Sequence, residues 1–163
     1  MIRALATAAL LALATSATAQ TALSLGTGSF DSGQPVEVSA DELAVDQQAG
    51  NAVFKGNVIV VQGEVRLSAG QVEVIYATEG DNNPTGISRL VASGGVTFVT
   101  PTEAAEAQNA VYSVAAGDVV LTGNVLLTQG ANALAGEKLT VDLATGVGRM
   151  EGRVRTVFGG GNN

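Results

Sequence analysis

The stretch Val53-Phe54-Lys55-Gly56-Asn57-Val58-Ile59-Val60-Val61-Gln62-Gly63 returns as Val120-Leu121-Thr122-Gly123-Asn124-Val125-Leu126-Leu127-Thr128-Gln129-Gly130, 67 positions on. The register holds downstream, matching Leu67 to Leu134, Val72 to Leu139 and Val74 to Val141. Shorter copies are Ala92-Ser93-Gly94-Gly95-Val96-Thr97-Phe98 and Met150-Glu151-Gly152-Arg153-Val154. From Gly94 to Gly123 to Gly152 the step is 29 each time; from Gly56 to Gly94 it is 38, because the polar stretch 79–86 adds a turn-rich loop. A period of this size marks about four structural repeats in one array.

Each repeat has two halves. The first is read in Ala40-Asp41-Glu42-Leu43-Ala44-Val45-Asp46, Gln71-Val72-Glu73-Val74, Asn109-Ala110-Val111-Tyr112-Ser113-Val114 and Lys138-Leu139-Thr140-Val141-Asp142. The second is the G-x-V run, whose glycines suit tight strand turns. Short β-branched runs that largely alternate, separated by Gly, Asn and Asp at even spacing, are a strand pattern. The chain is therefore read as all-β. One repeat cannot bury its own apolar face, so neighbours stack edge to edge into a sheet that folds over an interior.

Alternation then assigns the faces. Leu43 and Val45; Val72, Val74 and Tyr76; Ala110, Tyr112 and Val114; and Leu139, Val141 and Leu143 form one inward set. Val58 and Val60, Val96 and Phe98, and Val125 and Leu127 form the other. Glu37, Glu42, Glu73 and Thr140 have the opposite parity and are expected outside. The run Val58 to Val61 is apolar on both parities, so alternation alone does not orient it. Inward aliphatics at strand period make an ordinary packed core as readily as a fillable interior. An aromatic content of 4% leaves few bulky side chains to fill a wide sheet-lined space.

The N-terminus reads as a cleaved secretory signal over residues 1–19: Arg3, an apolar run from Ala4 to Ala14, and Ala17-Thr18-Ala19 before Gln20. An exported, soluble protein is expected, with a flexible segment at 20–33, one domain at 34–158 and a disordered tail at 159–163. The formal net charge of −7 disfavours nucleic acid as a partner. The chain has no Cys and no His. The usual zinc and copper ligand sets, and His-dependent nucleophilic catalysis, are thereby excluded. No cofactor or metal is expected. Two acidic pairs, Asp41 with Glu42 and Glu103 with Glu106, raise the question of a carboxylate-based glycan enzyme. Neither has a base-like partner in sequence, and acids beside turns are read as solvated, so no enzyme is expected.

The run Gly56-Asn57-Val58-Ile59-Val60-Val61-Gln62-Gly63, with Gln34-Pro35-Val36-Glu37-Val38-Ser39-Ala40-Asp41 before it and Val120-Leu121-Thr122-Gly123-Asn124 after it, resembles the LptA/OstA family of lipopolysaccharide-transport proteins. The resemblance covers roughly 34–158. It implies a twisted, V-shaped β-jellyroll (β-taco) of antiparallel strands, open at both ends, that shields lipopolysaccharide acyl chains in an apolar groove and bridges the inner and outer membranes. The resemblance further implies a periplasmic location and an inner-membrane ATPase as the energy source; this chain has no phosphate-binding loop of its own. Carried over residue by residue, the resemblance implies lipid contact at Ser32, Val36, Val38, Phe98, Tyr112 and Val114; parity adds Val58, Val60, Val125 and Leu127 to the lining.

The implied open ends leave unpaired strand edges that recruit partner strands. An LptC-like inner-membrane protein is expected at Val36, Glu37 and Val38. An LptD-like outer-membrane protein, or a second copy head to tail, is expected at Val154, Arg155, Thr156 and Val157. The competing expectation is a self-assembling β-repeat scaffold with a filled core.

Overall fold

A computed structural model of the chain describes residues 22–24, 31, 33–79 and 83–159. The expected signal peptide at 1–19, Ser32 and most of the expected tail (160–163) lie outside those residues.

The described residues form β1 (Ala22–Ser24), β2 (Glu37–Ser39), β3 (Glu42–Asp46), β4 (Asn51–Gln62), β5 (Val65–Glu79), β6 (Asn83–Ser93), β7 (Val96–Val99), β8 (Glu103–Ala107), β9 (Asn109–Ser113), β10 (Asp118–Gln129), β11 (Asn132–Asp142), β12 (Val147–Glu151) and β13 (Arg155–Val157). All belong to one sheet, and all the pairings are antiparallel. Four long strands, β4, β5, β10 and β11, run through both leaves of the sheet. The first leaf runs β3-β4-β5-β6-β9-β10-β11-β12-β1 and the second β2-β4-β5-β7-β8-β10-β11-β13.

The glycine repeats mark the line between the leaves. Gly56 and Asn57 have φ of 76° and 47°, and Gly123 and Asn124 have 84° and 48°, so each pair is a left-handed step inside a strand. The ladder shifts register at these two points, between Lys55 and Val58 and between Thr122 and Val125. These glycines were expected at strand turns; they are bulges that bend β4 and β10 without ending them, which is how a bulge re-aims a strand. Neighbouring strands are tied across the same line: Asp41 N donates to Gly56 O at 2.9 Å, Gln108 N to Gly123 O at 3.0 Å, and Glu137 N to Gly152 O at 3.1 Å. The result is a crease, with the leaves closing over each other.

Between them lies one apolar core, which includes Val58, Val72, Leu90, Val96, Phe98, Leu121, Val125, Leu139 and Leu143, all buried. The ambiguous run resolves with Val58 and Val60 inward and Ile59 and Val61 only half-buried. Glu37 and Glu42 are exposed, while Glu73 and Thr140 are half-buried on the outward parity. Glu73 is held there by Asn51, whose Nδ2 donates to Oε1 at 2.6 Å.

Three expectations need revision. Leu43 and Val45 are not inside: they are 56% and 61% exposed. β3 is the end strand of its leaf: among the described residues it pairs only with β4. The described residues of the polar stretch 79–86 belong to the ladder, with β5 and β6 paired out to Glu79 opposite Asn83; residues 80–82 lie outside the described residues. Within the segment expected to be flexible, Ala22–Ser24 is a strand, with Leu23 opposite Gly148 of β12.

Candidate functional site: the interior and the two ends

Four strands carry the buried part of the expected lining. Val58 and Val60 come from β4, Phe98 from β7, Tyr112 from β9, and Val125 and Leu127 from β10; all six are buried. Val36, Val38 and Val114 are half-buried and pack against the same core. Of the expected lining only Ser32 is outside the described residues. A cavity between the leaves that touches Val60, Leu67, Leu90, Phe98, Tyr112 and Leu143 measures only about 20 Å³. That is room for about one water, against walls that offer few polar partners.

A few polar side chains are buried along the rim farthest from the crease. The Tyr112 hydroxyl donates to Gln62 Oε1 at 2.5 Å. Gln62 Nε2 in turn donates to Gln34 O at 2.8 Å, which fixes the amide so that its oxygen faces the tyrosine. Burial pushes the Tyr112 hydroxyl up to about 12, so it keeps its proton as a donor at neutral pH. Nearby, Thr100 Oγ1 donates to Glu103 Oε2 at 2.5 Å and accepts from Glu103 N at 3.1 Å. Gln129 Nε2 donates to Glu103 Oε1 at 2.9 Å.

The buried Glu103 corrects the expectation that acids beside turns are solvated. It shares inward parity with Ala105, whereas Glu106 is exposed, so the two carboxylates lie on opposite faces and cannot act as a pair. Asp41 is engaged at the crease, accepting from Asn57 Nδ2 at 2.8 Å. The signal for the rim was available: Gln62 continues the parity of Val58 and Val60, and Gln129 that of Val125 and Leu127. No group of three or more His, Cys, Asp or Glu that could hold a metal occurs among the described residues.

The ends are the second feature. At the N-terminal end, β2 and β3 each pair with β4 on one side, and among the described residues with nothing on the other. Of the expected edge residues, Glu37 and Val38 lie on β2 and Val36 just before it. At the C-terminal end, Arg155, Thr156 and Val157 form β13, which pairs with β11 alone, and Val154 leads into it. Val157 and Phe158 are 66% and 76% exposed there. β12, the end strand of the other leaf, is covered by β1.

A single antiparallel sheet, creased along its length around an apolar interior and ending in unpaired strands, is an open β-jellyroll. Its fold matches the crystal structure of LptH, described as the LptA-homologous periplasmic component of the lipopolysaccharide transport device of Pseudomonas aeruginosa: the TM-score is 0.69 at 22% identity, over 80% of this chain and 99% of that one. The family model for the LptA/(LptD N-terminal domain) LPS transport protein matches residues 37–147. Similar sequences include an uncharacterized protein of Rhizobium meliloti, 31% identical over 75% of this chain and 69% of that one. Lipopolysaccharide export system protein LptA of Escherichia coli is 30% identical over 68% of this chain and 60% of its own length. The chain belongs to the LptA/LptD N-terminal domain family of lipopolysaccharide transport proteins.

Proposed function

We propose that this chain is the periplasmic bridge of a lipopolysaccharide export system. It takes lipopolysaccharide from an LptC-like inner-membrane protein at its N-terminal edge and passes it to an LptD-like outer-membrane protein at its C-terminal edge. Copies also join head to tail. The supporting observation is that the inner faces of both leaves are aliphatic from β4 through β11, in a member of this family. An acyl chain left in water costs about 0.8 kcal/mol per CH₂, so a multi-chain lipid needs such a cover to cross an aqueous gap. Contacts between a smooth aliphatic lining and a chain are weak and non-directional, which lets the chain slide. The sugar and phosphate part stays in solvent.

This work needs no catalytic group, and the relatives are named as export proteins, so no enzymatic step is assigned. The buried positions Val58, Val60, Phe98, Tyr112, Val125 and Leu127 are proposed to meet the chains. Val36 and Val38 would meet them at the N-terminal opening, with Ser32 just before them, and Val114 in the interior beside Tyr112. The filled-core scaffold reading matches the small cavity but not the family.

Capture of labelled lipopolysaccharide by the purified protein tests the reading. Intact lipopolysaccharide is expected to bind, and the same molecule stripped of its acyl chains is not. Equal binding of the two would overturn an acyl-chain carrier.

A further inference from the structure

The cavity between Phe98, Tyr112 and Leu143 does not fit the cargo as it stands: a space of about 20 Å³ cannot hold one acyl chain, so the leaves have to part there before a chain reaches these residues. The crease itself is a poor place for them to separate, because backbone hydrogen bonds and four continuous strands hold it. The rim is different. There the leaves meet through side chains, and a specific polar contact crosses between them. Tyr112 lies on β9 in the first leaf. Gln62 closes β4 in the second leaf, at the end of the strand away from Gly56 and Asn57. The two residues are 50 positions apart in sequence, and their 2.5 Å hydrogen bond spans the interior directly above the small cavity, which both residues touch.

We infer that Tyr112 and Gln62 form a latch across the mouth of the folded sheet, closed in the lipid-free protein and displaced by an entering acyl chain. The inference rests on the lipid-carrying reading. A buried hydrogen bond suits this task better than more aliphatic packing would. Dispersion contacts weaken gradually as the leaves move, whereas a hydrogen bond is lost within a few tenths of an ångström and gives two distinct states. The partner of the tyrosine is also anchored: Gln62 is held by Gln34 O, so the latch closes onto a fixed acceptor. On the same rim, Thr100 and Gln129 hold Glu103, which stiffens the leaf carrying Gln62 while the other leaf swings. The tyrosine ring remains part of the apolar wall in either state, so only its hydroxyl is specific to the closed one.

The chain has no cysteine, which allows a clean test. Uptake of fluorescent lipopolysaccharide would be timed for the wild type, for Tyr112→Phe, and for Gln62→Cys with Tyr112→Cys joined by a short reducible thiol-to-thiol crosslinker. Loss of one hydrogen bond is expected to speed uptake of the Phe variant by about threefold to tenfold. The crosslinked protein is expected to take up nothing until reductant is added, and then to load. The same sample before and after reduction serves as its own folding control. Uptake at the wild-type rate by both the Phe variant and the crosslinked form would overturn the latch while leaving the carrier reading intact. If the wild type itself takes up no lipopolysaccharide, the carrier reading falls and the latch falls with it.

Discussion

Gly56 has a φ of 76°, and a Cβ there would sit 2.6 Å from Asp41 Oδ2. Two separate demands therefore exclude a side chain: the left-handed backbone and the carboxylate lying over it. Gly123 repeats the arrangement with Gln108 in place of Asp41. The residue after each is Asn, which tolerates the left-handed region better than most. Gly56→Ala is expected to cost about 1–2 kcal/mol from backbone strain alone, read as a lower urea midpoint; an unchanged midpoint would mean the crease is not a strained step. Tyr112 makes a second residue-scale prediction. Its pKa is raised from 10.0 to about 12 by burial, so the folded state holds the proton more tightly than the unfolded state. The stability this contributes is complete below pH 10 and is lost as pH rises toward about 12. Tyr112→Phe should flatten the fall in stability across that window, measured by chemical denaturation at several alkaline pH values. An identical fall in both proteins would place the hydroxyl in solvent.

Among the elements, the end strands behave differently from the rest. A middle strand has its inner face covered by the opposite leaf, and alternation read its residues correctly. β3 has the same alternation as its repeats, yet Leu43 and Val45 are exposed on a strand that, among the described residues, ends its leaf. Periodicity reports which side a residue faces, not whether anything covers that side. Exposed apolar side chains beside an unpaired backbone edge suit a docking strand. Leu43→Asp with Val45→Asp is therefore expected to leave stability within about 0.5 kcal/mol, since neither residue is buried, and to abolish end-to-end association in sedimentation. Unchanged association would show that copies do not meet through this end. Glu103 carries the converse lesson. Its inward parity was visible in sequence, but an acidic residue beside a turn was read as solvated. The outcome depended on Thr100 and Gln129, and Gln129 is 26 positions away.

At the scale of the molecule, the repeat at 67 positions was enough to expect one folded-over sheet, because each repeat has to borrow its core from its neighbours. What the repeat could not show is that Gly56 and Gly123 bend continuous strands. A positive φ serves a turn and a bulge equally well, and only the ladder on both sides separates the two. Nor could composition tell how full the interior is. Few aromatics suggested spare room, yet the cavity between Phe98, Tyr112 and Leu143 measures only about 20 Å³. The closed interior and the proposed cargo are reconciled only if the leaves open.

The most direct test of the carrier places a photo-crosslinking residue at buried Phe98 and, separately, at outward-parity Glu73, and probes cells for lipopolysaccharide adducts. Adducts at Phe98 and none at Glu73 are expected. A folded, exported protein that yields no adduct at Phe98, or equal adducts at both positions, would contradict transport through the interior.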